Sequence, residues 1–137
     1  MDEARAKVLF STARVARLGT ADSEGVPHLV PITFDVDGDV VSFVVDHKPK
    51  RSTDLRRLRN IVANDRVCLL VDEYDDDWAR LWWVRADGRA EIHESGPRRD
   101  RAVERLGIRY AQYRENPPQG PAVLITVESW SGWAYAA

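Results

Sequence analysis

The sequence predicts a mainly β fold, a small antiparallel barrel of six to seven strands with three flanking helices. Two observations carry this prediction. Short apolar runs are separated by turn signals such as Asp37-Gly38, which is typical of antiparallel hairpins. The runs do not alternate regularly with helices, as the strands of a parallel sheet would, so a Rossmann-type fold is not expected. With 137 residues and no internal repeat or linker, the chain is expected to form one domain over residues 1–137.

The first half of the chain is predicted to contain a helix, two hairpins and a second helix. Residues 2–16 carry apolar side chains near helical spacing, and the expected inward positions are Ala4, Val8, Leu9, Thr12 and Val15. Residues 18–21 and 28–34 are expected to pair as strands across a polar turn. After Val45 the pattern becomes helical, with three candidate N-caps before an apolar face. The caps are Ser52, Thr53 and Asp54, and the apolar positions are Leu55, Leu58, Ile61 and Val62.

The second half is predicted to contain a buried strand, a hairpin, a helix and two closing strands. Residues 66–71 are predicted to form the buried strand, with Cys68 as a small buried apolar residue within it. Asp87-Gly88 is expected to turn a hairpin inside the segment ARLWWVRADGRAEIHE. A helix is expected over residues 97–114, and separate strands over residues 122–128 and 130–136. The inward positions expected on this helix are Ala102, Val103, Leu106 and Tyr110.

Composition and charge exclude several classes of function. The net charge is −2 and the isoelectric point is about 5.9, so no binding to nucleic acid is expected. No apolar run reaches the roughly 20 residues of a membrane span, and no signal peptide is recognised, so a cytoplasmic protein is expected. The single cysteine excludes an intramolecular disulfide and a cysteine-based metal cage. The three histidines, His28, His47 and His93, are too scattered to predict a metal site.

The segment DHKPKRSTDLRRLRN, residues 46–60, concentrates positive charge in a mildly acidic protein. Six of its fifteen residues are basic and two are acidic. The free amides and the dipole at the start of the predicted helix would attract an anion. A solvated basic helix face is the alternative, but cations at this end of a helix oppose its dipole, which favours phosphate binding. The candidate phosphate ligands are Lys48, Lys50, Arg51, Ser52, Thr53, Arg56 and Arg57.

Five tryptophans lie in the second half of the chain, more than a small monomer is expected to bury. Trp82 and Trp83 are neighbours on a predicted strand, so one should enter the core and the other should face a cleft or a second subunit. Trp78 and Trp133 are candidates for contact with a bound ring, with plain packing as the alternative. His28 is a candidate donor to a cofactor carbonyl, and a structural histidine is the alternative interpretation.

The order of these segments resembles the split β-barrel family of pyridoxamine-phosphate-oxidase-like flavin and deazaflavin proteins, which have the FMN-binding split-barrel fold. The matching pieces cover nearly the whole chain: RLGTADSEGVPHLVPITF, KPKRSTDLRRLRNIVANDRVCLLVD, WWVRADGRAEI and WSGWAYA. Within that family the chain is most similar to the actinobacterial branch that uses the deazaflavin coenzyme F420. Oxidation of pyridoxamine phosphate itself is not expected, because the substrate-binding arginine motif of that enzyme is not found.

The resemblance implies a homodimer with two cofactor clefts at the subunit interface. In the family, basic residues at a strand–helix junction hold the cofactor phosphate. Two sets of residues match that role here: Lys48, Lys50 and Arg51 in the loop, or Arg56 and Arg57 on the helix. The ring-lining strand of the family corresponds to residues 28–33, where Pro31 and Thr33 would face the heterocycle. The implied cofactor is coenzyme F420, with FMN as the alternative.

The function implied by the resemblance is hydride transfer between coenzyme F420 and a small organic substrate. Because the cofactor supplies the reactive atom, no catalytic side chain and no metal are required. Two alternatives stay open. One is an FMN-dependent oxidase or reductase, and the other is a non-catalytic protein that binds a flavin, a deazaflavin or haem.

Overall fold

The computed structural model describes residues 1–45 and 55–136, which form a seven-stranded antiparallel sheet with flanking helices. The strands are β1 (Ala16–Ala21), β2 (Pro27–Ile32), β3 (Asp35–Asp37), β4 (Val40–Val44), β5 (Arg66–Glu73), β6 (Trp82–His93) and β7 (Ala122–Ala134). The helices are α1 (Glu3–Thr12), α2 (Arg56–Ala63), α3 (Pro97–Arg109) and α4 (Ala111–Glu115). Trp78–Arg80 form a single 3-10 turn, called the Trp78 turn below. This architecture confirms the predicted mainly β split barrel.

The strands follow the order β2-β1-β5-β6-β7-β4-β3 across the sheet. Successive residues of a strand point to opposite faces, so alternate side chains enter the core. In β5, for example, Val67, Leu69 and Val71 are buried and Leu70 is exposed. Fully buried side chains on the other strands include Leu18, Val41, Val84 and Ile125. The resulting core is continuous across both halves of the chain.

Helix α1 is shorter than predicted and buries a different face. It spans Glu3–Thr12, and β1 starts only four residues beyond it. Of the predicted inward positions, Leu9 packs against the core, but the others are wrong: Val8 and Val15 are 56% and 42% exposed, and Ala4 and Thr12 are exposed as well. Ala6 and Phe10 are fully buried instead.

Aromatic side chains pack together in the core beneath α1. The Phe10 ring lies 5.0 Å from the Phe34 ring and 5.2 Å from the Trp130 ring, in tilted and edge-on contacts. The Arg109 guanidinium lies over the Phe34 ring, 4.8 Å from its centroid. It also donates hydrogen bonds to the backbone carbonyls of Ser11 and Ala13. Arg109 thereby joins the end of α3 to the end of α1.

Strand β6 runs straight through the predicted hairpin. The turn prediction at Asp87-Gly88 is wrong, because β6 pairs with β5 and β7 on both sides of this dipeptide. A β-bulge interrupts the β6–β7 register at Asp87/Gly88. A Cβ atom on Gly88 would lie 2.3 Å from the Thr126 carbonyl oxygen. Gly88 is therefore required for close backbone approach and not for a turn.

Strand β7 is also continuous, although two strands were predicted over this part of the chain. It spans Ala122–Ala134 and pairs with β6 on one edge and with β4 on the other. The predicted break at residue 129 is absent because Ser129 still pairs with Asp87.

Helix α3 is fixed against β3 by arginine–aspartate pairs. Arg105 donates to Asp35 at 2.5 Å, and Arg101 donates to Asp37 at 2.8 Å. The Arg101 hydrogen bond lowers the pKa of Asp37. The predicted helix over 97–114 is split, because Tyr110 has extended backbone angles between α3 and α4.

Helix α2 packs on the inner side of β1. Asn60 is buried and donates from its side-chain amide to the Thr20 hydroxyl at 3.0 Å. Ile61 is buried as predicted, whereas Val62 is 80% exposed, contrary to the prediction. Leu55 is the N-cap residue of the helix and makes no side-chain cap bond. The predicted caps at residues 52–54 lie outside the described residues.

Cys68 was predicted to be buried, but it is half-buried on the outward side of β5, beside Gly19 of β1, because Val67 and Leu69 take the inward positions. A Cβ atom on Gly19 would lie 3.0 Å from the Cys68 sulfur, so the thiol fills the space next to the glycine. Burial raises the pKa of the Cys68 thiol, and the nearby Asp87 carboxylate adds to this effect.

Gly88→Ala should lower the free energy of unfolding by about 1–3 kcal/mol, the usual cost of overpacking. The added methyl group would overlap the Thr126 carbonyl and separate β6 from β7. Urea denaturation followed by circular dichroism measures the loss. Gly107→Ala is the matched control, because its Cβ would meet Arg114 at an ordinary 3.7 Å. It should be neutral or stabilising by up to about 1 kcal/mol. Equal unfolding midpoints for Gly88→Ala and wild type would contradict the close-approach role.

Alkylation of Cys68 by iodoacetamide should have its pH midpoint above 9.0, the ordinary thiol value, because the folded protein holds the thiol proton more tightly. Because the pKa of the Cys68 thiol is higher in the folded than in the unfolded chain, its ionisation lowers the free energy of unfolding only as the pH rises through the alkaline range. Intact-mass measurement of the alkylation rate across pH tests this expectation, with the urea-unfolded chain as the control. A folded midpoint at or below the unfolded one would show that burial does not control this thiol.

Candidate functional site

Three elements meet at the end of β2. Thr33 follows β2 directly, Tyr113 belongs to α4, and Arg57 lies in the first turn of α2. The hydroxyl groups of Thr33 and Tyr113 are hydrogen-bonded at 2.8 Å. Arg57 is linked to the pair through its electrostatic interaction with Tyr113. We call the group formed by Thr33, Arg57 and Tyr113 the Thr33 junction.

Arg57 is the cation of this junction. Its side chain is half-buried, and its Nε atom is buried without a hydrogen-bond partner among the described residues. Burial lowers the pKa of Arg57, while the neighbouring Tyr113 opposes that shift. An unpaired, partly desolvated guanidinium nitrogen is costly. A ligand with an anionic oxygen would satisfy it through a charge-assisted hydrogen bond.

Tyr110 holds the two chain segments beneath the junction together. Its hydroxyl accepts a hydrogen bond from the Phe34 backbone N–H at 3.2 Å and donates to the Arg14 carbonyl at 2.8 Å. The Arg14 guanidinium covers the Tyr110 ring at 4.6 Å. Thr33 is thus fixed on its C-terminal side by bonds between distant segments.

Arg56 and Arg57 are adjacent in sequence but interact electrostatically with different residues. A hydrogen bond from the Val26 backbone is the main cause of the lowered pKa of Asp22, and the charge of Arg56 lowers it further. Arg56 therefore acts at the turn before β2, whereas Arg57 acts at the end of β2. Neighbouring helix positions diverge by about 100°, which explains the separation. Of these two predicted phosphate ligands, the structure brings only Arg57 to the Thr33 junction.

His28 lies near the other end of β2, opposite Thr20 of β1. Its Nδ1 atom is buried and has no hydrogen-bond partner in the part of the chain that the structure describes. His28 also lines a cavity of about 580 Å³ that crosses β1, β2, β5 and β6. His28 and Thr33 are five residues apart on extended backbone, so about 17 Å separates the two ends of the strand.

The remaining predicted residues are not brought together within one chain. Pro31 is exposed on β2, Trp78 is 59% exposed in the Trp78 turn, and Trp133 is 44% exposed on β7. Three strands lie between β2 and β7, which corresponds to about 19 Å along the sheet. Trp133 is therefore far along the sheet from a ring held on β2 of the same chain. Lys48, Lys50, Arg51 and Ser52 lie outside the described residues.

The two adjacent tryptophans of β6 are both half-buried, and they differ in their neighbours. Trp82 packs against the core cluster, as expected for one member of the pair. Trp83 pairs with Trp133 of β7 on the neighbouring strand.

Tyr113 is the functional candidate that sequence reasoning missed. It is 80 residues from Thr33 in the chain. Its only sequence signal is its position three residues after Tyr110, just before the proline-rich segment 116–121. That spacing identifies a helix face and says nothing about a partner on a strand.

Within residues 1–45 and 55–136, no three His, Cys, Asp or Glu side chains are grouped as metal ligands. None of the helices described there has the length and apolar character needed to cross a membrane.

Solved structures share this fold at low sequence identity. A conserved hypothetical protein from Mycobacterium tuberculosis superposes with a TM-score of 0.79 at 20% identity, over 98% of this chain and 85% of that one. An FAD-binding protein from Mesorhizobium loti gives 0.71 at 22% identity, over 96% and 94% of the two chains. The haem storage protein from Vibrio cholerae gives 0.73 at 16% identity, over 96% and 93%. At such identities the likeness concerns the fold alone.

Sequence similarity identifies the family. A 5a,11a-dehydrotetracycline/5a,11a-dehydrooxytetracycline reductase from Streptomyces rimosus is 33% identical over 57 residues, which is 42% of this chain and 39% of that protein. The match thus covers less than half of the relative. The family model described as pyridoxamine 5'-phosphate oxidase matches residues 2–134, nearly the whole chain. The protein belongs to the pyridoxamine 5'-phosphate oxidase family.

Proposed function

We propose that this protein is an oxidoreductase that binds coenzyme F420 and transfers hydride to or from a small organic substrate. The observation that carries the proposal is the half-buried Arg57, whose Nε atom has no partner in the described part of the chain. Family membership and the partial likeness to a Streptomyces reductase support a redox function.

A phosphate group suits the Thr33 junction. Arg57 would donate to a phosphate oxygen, and the Thr33 or Tyr113 hydroxyl would supply a further hydrogen bond. The predicted loop ligands precede α2 in the chain: Lys48, Lys50 and Arg51 would add positive charge to the same junction, and Ser52 would add a hydroxyl group. These contacts would account for the basic segment in a chain of net charge −2.

The strand β2 would carry the rest of the cofactor. The unpartnered Nδ1 of His28 can bond to a ring carbonyl or nitrogen at the opposite end of the strand from Thr33. When bound, the deazaflavin ring supplies the carbon that accepts or gives up hydride. The chain's own contribution is to fix the orientation of the ring and to keep water away from it.

We further propose that a second copy of the chain completes the cleft, packing against the outer face of β1, β2 and β5. Leu29 is 69% exposed and Leu70 is 39% exposed on these strands. Both signs of charge are present there, with Arg17 lying 3.8 Å from Asp72. A surface with apolar side chains and both signs of charge can pair with a copy of itself across a two-fold axis. Because Trp133 is far from β2 within one chain, the partner copy is the source from which this side chain would cover the ring.

Arg57→Ala should raise the dissociation constant for coenzyme F420 at least tenfold, since it removes a charge-assisted hydrogen bond of about 1.5–3 kcal/mol. Tryptophan fluorescence during titration with coenzyme F420, and separately with FMN, measures the change. Arg56→Ala is the matched control: it removes the same charge from the adjacent position and should have a much smaller effect. Equal binding of coenzyme F420 by wild type and Arg57→Ala would contradict the proposal that the cofactor phosphate binds at the Thr33 junction. Tighter binding of FMN would instead indicate a flavoenzyme, and no binding of either compound would overturn the cofactor proposal.

Leu29→Lys should dissociate the proposed dimer, because it places a charge in the centre of the apolar contact. Light scattering coupled to size-exclusion chromatography reports the mass in solution. Ile108→Lys is the control, since Ile108 is 73% exposed on α3, away from this face. A dimeric Leu29→Lys variant would show that the subunits meet elsewhere, and a monomeric wild type would contradict the dimer itself.

A further inference from the structure

A second cavity lies where α1, the Trp78 turn and the end of β7 converge. Its volume is about 540 Å³, within the range of small-molecule sites. It is lined by Met1, Arg5, Leu9, Leu81, Trp82 and Tyr135, together with small residues. We call it the α1 cavity. None of its lining residues belongs to the Thr33 junction, so it is distinct from the proposed phosphate site; Tyr135 does contact the Trp133 ring, at 6.4 Å between centroids.

Backbone and core contacts build the walls of the α1 cavity. The Tyr135 backbone N–H donates to the Leu81 carbonyl at 3.0 Å, which ties the end of β7 to the Trp78 turn. Trp82 packs against the hydrophobic core. A Cβ atom on Gly132 would lie 2.7 Å from the Met1 sulfur, so the glycine makes room for this side chain. The cavity is therefore formed by fixed elements on three sides.

The charged side chains that line the cavity are both arginines. Arg5 and Leu9 are four residues apart on α1, which places a cation and an apolar side chain on the same helix face. The Arg5 guanidinium makes no hydrogen bond or ion pair with any other described residue. Arg80 lies 3.7 Å from Asp75, but its side chain is 72% exposed and can turn toward a ligand.

We propose that the α1 cavity binds a small organic anion, a carboxylate or sulfonate with an apolar body. The head group would meet Arg5 and Arg80, and the apolar body would pack against Leu9, Leu81 and Trp82. The cavity matches this chemistry because its two cations can pair with the acidic group of the ligand, and its aromatic and aliphatic walls can pack against the apolar body. A neutral ligand would contact only the apolar walls, and an inorganic anion would contact only the two arginines.

The test uses two fluorescent probes that differ in charge. 1-Anilinonaphthalene-8-sulfonate carries the sulfonate, and N-phenyl-1-naphthylamine has the same rings without it. The sulfonate should bind wild type at a saturable site and more tightly than the neutral probe. Arg5→Ala and Arg80→Ala should each weaken sulfonate binding roughly five- to tenfold, while leaving the neutral probe unchanged.

Arg98→Ala is the matched control, since this half-exposed arginine of α3 pairs with Glu91 and does not line the α1 cavity. It should leave sulfonate binding as in wild type. The proposal is overturned if Arg5→Ala and Arg80→Ala bind the sulfonate as wild type does, if Arg98→Ala weakens it equally, or if no saturable binding occurs. Repeating the titration with the coenzyme F420 complex separates the two sites, because the α1 cavity should still bind the probe.

Discussion

The long pairing between β6 and β7 forms the centre of the sheet and positions every other strand. These strands of twelve and thirteen residues lie in the middle of the sheet, with β5, β1 and β2 built outward from β6 and β4 and β3 from β7. The pairing survives its bulge because Gly88 has no side chain where the Thr126 carbonyl approaches. Any wider separation would shift both wings of the sheet, together with the aromatic contacts of Phe10 and Trp130 that close the core.

The candidate site depends on this frame because its parts come from distant segments. Thr33 follows β2, which is an edge strand of the sheet. Arg57 belongs to α2, which packs on β1, and Tyr113 belongs to α4, which follows α3. The hydroxyl contact between Thr33 and Tyr113 spans 80 residues of chain. Hydrogen bonds of Tyr110 to two further segments hold these pieces in place. The result is a partly desolvated cation beside two hydroxyl groups, an arrangement suited to an anionic oxygen.

The two cavities described above, both lined by residues within 1–45 and 55–136, differ in the chemistry they offer. The one lined by His28 crosses the outer strands, where exposed leucines and paired charges suit contact with a second copy of the chain. The α1 cavity is bounded by elements of a single chain and presents two arginines with apolar walls. One fold thus carries a proposed cofactor cleft that needs a partner and a proposed anion site that does not.

Strand alternation, helix periodicity and charge are local patterns, so the amino-acid sequence was enough to predict the fold class, most element positions and the basic character of the α2 region. The prediction of a turn at Asp87-Gly88 was wrong, because this dipeptide lies within a continuous strand. The local sequence cannot show that a carbonyl group of β7 approaches Gly88. The local sequence also could not show that Arg57 has Tyr113 as a neighbour whereas Arg56 has Asp22, or that Tyr113 bonds to Thr33. Only the tertiary structure decided those points, because they depend on which side chains meet across the sheet, and that is set by long-range pairing and packing.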